Sequence, residues 1–169
     1  MQETPQEYRD RMLSYLEGAD PLKLQAATAR KIARMLKGVS AAKLRKRPAP
    51  AKWSVAEIVA HLADTEIVGA FRMRMILGDL GTPIPAFDQD RWTVALHYDK
   101  CDVRKALEQF RVLRETNLAL LKTLSPEQWK QYGVHSERGK ESIETIVRMF
   151  AGHDINHIKQ IERILSARK

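Results

Sequence analysis

Apolar positions recur at spacings of three and four along most of this chain, and no stretch shows the alternation of a half-buried strand. Leu22, Ala26, Ala29, Ile32, Ala33 and Leu36 mark a first long stripe, opened by Asp20-Pro21 and closed by Gly38 after about Lys37. A second opens where Ser54 and Glu57 form a capping box, with Trp53 and Ile58 placed as a hydrophobic staple, and runs to about Leu77 before Gly78. Its apolar arc is broad, which predicts burial on more than one side. A third spans about Asp102 to Leu124, with Val103, Leu107, Phe110, Leu113, Leu118 and Leu121 as core. The fourth spans about Glu141 to Ser166.

Shorter elements lie between these. Thr4-Pro5 followed by Gln6 to Leu16 and then Gly18 predicts a short first helix. Ser40 to Lys52 reads as a basic connection, since Pro48 and Pro50 cannot be helix interior. Gly78 to Asp99 is the longest irregular region; Asp88 caps a short helix over Gln89 to His97, and a connection of this length suits a lid over a site. Ser125 and Gln128 form another capping box, opening a turn or two through Trp129, and Gly133 to Lys140 reads as a polar loop. The expectation is an all-α fold, a four-helix bundle, with an extra short N-terminal helix and a long loop between the second and third bundle helices. Residues 1–19 are the N-terminal extension and residues 20–169 the bundle domain.

The chemistry is concentrated in the last helix, at Gly152-His153-Asp154-Ile155-Asn156-His157. Histidines four apart lie one above the other on one face, so their rings can converge on one ion. A turn of about 100° per residue puts His153 and His157 in one arc with Ile143, Ile146, Val147, Phe150, Ile158, Ile161, Ile164 and Leu165. Glu144, Arg148, Lys159, Glu162 and Arg163 fall opposite. Both imidazoles are therefore expected inside, where an unpaired polar group is costly. A metal site needs at least a third protein donor, and His61, two turns into the second long helix, is the candidate. Three histidines would leave a position open, as catalysis requires, and a thiol or water bound there would lose its proton near neutral pH. The plainer alternative is that each histidine is a core residue bonded to a carbonyl or an acid. His97 and His135 fall in loops and are expected to face solvent. Asp154 has three readings: an acceptor orienting a histidine, a partner for a buried arginine such as Arg111 or Arg114, or a flank position reaching solvent. Gln160, at the edge of the histidine arc, bonds either within the site or to water.

Composition narrows the function classes. A chain of 169 residues, 44% hydrophobic, is long enough to bury a core as one domain. No apolar run approaches the roughly 20 residues that span a bilayer, and Met1 to Asp10 has no signal-peptide core. A soluble, cytoplasmic, unprocessed protein with no membrane partner is expected. The single cysteine, Cys101, excludes an internal disulfide and reads as a structural thiol. The net charge of +8 hints at acidic partners. Its one dense cluster, Lys43, Arg45, Lys46 and Arg47, lacks interleaved aromatics and a recognition-helix motif, so nucleic acid is not the expected partner.

Two segments together resemble the DinB/YfiT-like superfamily of bundle proteins: Trp53-Ser54 with Glu57, Ile58 and His61-Leu62-Ala63-Asp64, and then His153, His157, Gln160 and Ile161. The family pattern has one histidine in the second bundle helix and an H-x-x-x-H pair in the fourth, and all three positions are filled here. The similarity covers roughly Asp20 to Ser166. It implies a four-helix bundle, a divalent metal such as zinc or nickel on His61, His153 and His157, and a homodimer. Members with known activities are thiol-dependent S-transferases using bacillithiol, mycothiol or glutathione, or an isomerase using such a thiol. The resemblance thus implies a metal-dependent enzyme acting on a small-molecule substrate, either an S-transferase with a low-molecular-weight thiol as co-substrate or a related hydrolase or isomerase. A non-catalytic metal-binding bundle is the alternative.

Overall fold

A computed structural model describes residues 3–167; the outermost positions of the two expected segments, 1–2 and 168–169, lie outside the described residues. The helices are α1 (Pro5–Ser14), α2 (Pro21–Leu36), α3 (Ala41–Arg45), α4 (Val55–Gly78), α5 (Gln89–Ala95), α6 (Val103–Leu121), α7 (Pro126–Lys130) and α8 (Ile143–Ser166). Their starts follow the capping chemistry. Thr4, Ser54 and Ser125 each complete a reciprocal capping box, while Asp20, Asp88 and Asp102 accept backbone N–H groups of the first turn.

The bundle consists of α2, α4, α6 and α8. Each of α4 and α2 packs on both α6 and α8, so α2 and α4, consecutive long helices, stand diagonally across the bundle. That crossover makes α4 and α8, the two histidine-bearing helices, neighbours. Two apolar clusters fill the interior. One joins Ile32, Val55, Ile58, Val59, Leu62, Phe110, Ile158 and Ile161; the other joins Met73, Ile76, Leu118, Leu121, Ile143 and Val147. Helix α4 is buried over most of its circumference, as its broad arc predicts. Helix α1 packs along α8, burying Met12 and Leu16. Gly152 makes this approach possible, because a Cβ there would overlap the Met12 carbonyl.

Two expectations need correction. The chain holds a small three-stranded sheet, which the apolar pattern does not reveal: β1 (Pro83–Ile84) pairs parallel with β2 (Tyr132–His135), and β2 pairs antiparallel with β3 (Gly139–Ser142). The polar segment 133–140 is therefore largely a hairpin, turned at Gly139, whose φ of +72° favours glycine. Gly133 lies against Ile84, where a side chain would collide with it. Helix α8 accordingly starts at Ile143, after the strand. The connection 40–52 also carries structure, since Leu44 of α3 is buried. Three of its five bases bind the chain itself: Lys43 donates to the Leu165 carbonyl, Arg45 to that of Cys101, and Arg47 pairs with Glu57. No helix among the described residues is long and apolar enough to cross a membrane.

Candidate metal centre

His61 from α4 and His153 and His157 from α8 meet inside the bundle, with 2%, 7% and 6% of their surface exposed. The Nε2 of His153 lies 3.0 Å from the Nε2 of His61 and 3.0 Å from that of His157. One ligating nitrogen from each ring falls within 4.8 Å of the others. In a tetrahedral zinc site with bonds of about 2.0–2.1 Å, ligand nitrogens stand about 3.3 Å apart. The two 3.0 Å approaches to His153 are close to that edge length.

The surroundings fit a cation. Gln160 places its Oε1 3.0 Å from the Nδ1 of His157; an amide oxygen only accepts, so the proton sits on Nδ1 and the Nε2 lone pair points inward. Burial lowers the pKa of all three imidazoles, well below the ordinary value for His61 and His153 and to about 4 for His157. They are thus neutral at pH 7, the form that binds metal. Among the described residues their other polar partner is Thr65, whose Oγ1 is 3.4 Å from the Nε2 of His61. Among the described residues no main-chain carbonyl or carboxylate takes up these rings, as the plainer reading of the sequence would require. Trp53 covers the site, 4.8 Å from the His61 ring and parallel within 8° to that of His157 at 6.4 Å.

Beside the histidines lies an ionic layer. Arg114 donates through Nη1 and Nη2 to Asp154 at 2.6 and 3.1 Å and through Nε to Glu66 at 2.9 Å. Thr28 donates to Asp154 and Asn117 to Glu66. Of the three readings of Asp154, the buried arginine pair is the one observed, and Arg114 is the partner. Arg111 instead binds Glu108 and Glu115 on the surface. Two carboxylates against one guanidinium leave an excess negative charge in the interior, which a cation on the imidazoles would offset.

His61 and His153 open onto a cavity of about 580 Å³. The long connection after α4 forms one wall, through Ala86, Phe87 and Asp88. His135 lines the same cavity, and here the sequence expectation fails: it is 2% exposed, because the alternation of β2 turns Gly133 and His135 inward and Val134 out. His97 is exposed, as expected. The Cys101 thiol donates to the Ala56 carbonyl at 3.3 Å, and burial raises its pKa, so it is a structural thiol. Sequence reasoning also passed over Arg72 on the cavity wall, although it stands three turns after His61 on the same face of α4.

Known proteins are similar to this chain in sequence and in fold. Three curated relatives carry the name "Putative metal-dependent hydrolase". One from Oceanobacillus iheyensis is 28% identical over 68% of this chain, one from Halalkalibacterium halodurans 23% over 67%, and YfiT from Bacillus subtilis 26% over 66%. The alignments span 65%, 66% and 64% of the relatives' own lengths, just under two thirds. The solved structure of Bacillus subtilis YfiT, described as a probable metal-dependent hydrolase with an unusual four-helix bundle topology, superposes with a TM-score of 0.80. It is 21% identical, with 85% of this chain and 83% of that one covered. The family model of the DinB superfamily matches residues 24–161, from within α2 to within α8 and so across all three histidines. This chain belongs to the DinB superfamily.

Proposed function

We propose that the protein is a metal-dependent enzyme that holds a divalent cation, zinc or nickel, on His61, His153 and His157 and directs a small nucleophile at an electrophilic substrate in the adjoining cavity. The nucleophile we favour is the thiol of a low-molecular-weight co-substrate. The observation that carries this reading is the convergence of three Nε2 atoms at the edge of an open cavity. A cation there would act as a Lewis acid and make a thiol or water acidic near pH 7. The rest falls to the chain itself. Three protein donors leave room for a further ligand on the cavity side. Gln160 fixes the tautomer of His157, Trp53 keeps solvent from the closed side, and the Thr65 hydroxyl stands beside His61 on the open side.

Hydrolysis, with water in place of the thiol, is the second reading, favoured by the names of the relatives. A homodimer belongs to the same proposal. Ile67, Phe71 and Met75 repeat every four residues on α4 and are exposed, offering an apolar face for a second copy.

Elemental analysis of protein purified without an affinity tag tests the centre. About one equivalent of metal is expected, lost in His153→Ala; metal-free wild-type protein, or metal retained in the variant, would overturn it. Thiol consumption with a panel of electrophiles then separates the two chemistries. Turnover that needs the thiol supports transfer, and turnover without it supports hydrolysis.

A further inference from the structure

Arg72 is 6% exposed, and among the described residues no carboxylate lies within 4.0 Å of its guanidinium. Its Nη2 donates to the Pro85 carbonyl at 2.6 Å and stands 3.4 Å from the Nε2 of His135. This second contact is not a hydrogen bond. The Nδ1 of His135 accepts the backbone N–H of Glu137 at 3.2 Å, so a neutral ring carries its proton on Nε2. Burial, with the charge of Arg138 next, holds His135 at about 4 and hence neutral at pH 7. A guanidinium has no acceptor. The second hydrogen of the Arg72 Nη2 and the Nε2–H of His135 thus face each other on the cavity wall with no acceptor between them.

Of the other charged groups on that wall, Asp90 and Glu137 form no ion pair among the described residues, and neither lies within 4.0 Å of Arg72; the remaining three are engaged. Arg138 is held by Glu141, Glu3 binds Arg11, and Asp88 caps α5. Burial brings Arg72 down to about 10, so it remains a cation at neutral pH. A buried guanidinium without a counter-ion is costly in the free protein and becomes favourable when an anion arrives.

We propose that Arg72 and His135 form an anion subsite that binds the carboxylate of the substrate or co-substrate, at the far end of the cavity from the three histidines. This rests on the cavity being the substrate site. His61, Thr65, Val68 and Arg72 follow one another at positions i, i+4, i+7 and i+11 along one face of α4, and all four line the cavity. Eleven residues of helix span about 16 Å, and both side chains lean the same way, so the two ends stand on the order of 15 Å apart, less the longer reach of Arg72 back toward His61. A small molecule can bridge that distance, with its reacting group at the imidazoles and its carboxylate on Arg72. One positive charge and one neutral N–H match a monoanion, and Glu137 on the same wall opposes a second negative charge. A carboxylate therefore fits better than a phosphate monoester.

The test is binding of hexanoate, hexanamide and hexyl phosphate to the full chain by calorimetry, with the His135 Nε2–H followed by NMR. Hexanoate is expected to bind at least about tenfold more tightly than the amide and more tightly than the phosphate, and to shift the His135 signal. Arg72→Gln should abolish the preference over the amide. Equal binding of acid and amide, or an unmoved His135 signal in wild-type protein, would overturn the subsite whether or not the variant folds. Tighter binding of the phosphate would overturn the carboxylate assignment. The same titration on His153→Ala separates this inference from the metal centre: carboxylate binding persists there even if no metal is ever found.

Discussion

Two buried arginines face the interior of this bundle and are treated in opposite ways. Arg114, 3% exposed, is enclosed by Asp154, Glu66 and the Gln25 carbonyl, with Phe110 beneath it. Burial alone would lower its pKa, but the two carboxylates reverse that and hold it above the ordinary value. Arg72, 6% exposed, has a carbonyl, a donor facing it and a cavity. The first arrangement is complete within the chain. The second, like the three histidines, presents polar atoms whose partners the chain does not supply. In a packed interior that difference separates groups that hold the fold from groups that await a ligand.

The largest effect expected from breaking this contrast is at Arg114. Arg114→Met leaves Asp154 and Glu66 buried without a counter-charge and should cost about 3–5 kcal/mol in denaturant unfolding. Next comes the metal. At a free zinc concentration a hundred times the dissociation constant, the wild-type protein should gain about 2.7 kcal/mol, and His153→Ala should gain little in the same melting experiment. Acid has a graded effect on the metal-free protein. His135 and His157 both sit at about 4, held there chiefly by burial, below the unfolded value near 6.5. Between those limits the unfolded chain binds more protons, so the stability present above about pH 6.5 is lost progressively as pH falls toward 4. Denaturation curves at pH 7, 6 and 5 would measure it. The smallest effect belongs to Arg72. Arg72→Gln should change stability by less than about 1 kcal/mol, or raise it, because no ion pair is broken. A loss as large as that of Arg114→Met would erase the distinction.

The bundle was legible in the sequence because its helices are marked twice, by apolar spacing and by caps such as Ser54 with Glu57 and Asp20 with Pro21. The histidine pair was legible for the same reason, since helical periodicity alone puts His153 and His157 on the apolar face. That His61 joins them depends on which helices are neighbours, and spacing along the chain does not carry that; the family resemblance supplied it. The sheet escaped because its strands are two to four residues long and β1 pairs with a strand about fifty residues away, too little for periodicity to register. His135 was misplaced with it. Arg72 could have been found on the His61 face of α4, but a buried arginine without an acid becomes meaningful only once its neighbours are known.

Gly152 gives up its side chain to the Met12 carbonyl, directly before the first histidine of the pair. The backbone that carries His153 is thus braced from outside by the opening segment of the polypeptide, while Arg11 reaches over to Asn156, one residue short of His157. Precision at the centre is therefore borrowed from the periphery. An added methyl group at position 152, touching neither imidazole, would wedge that brace away and loosen the aim of both rings.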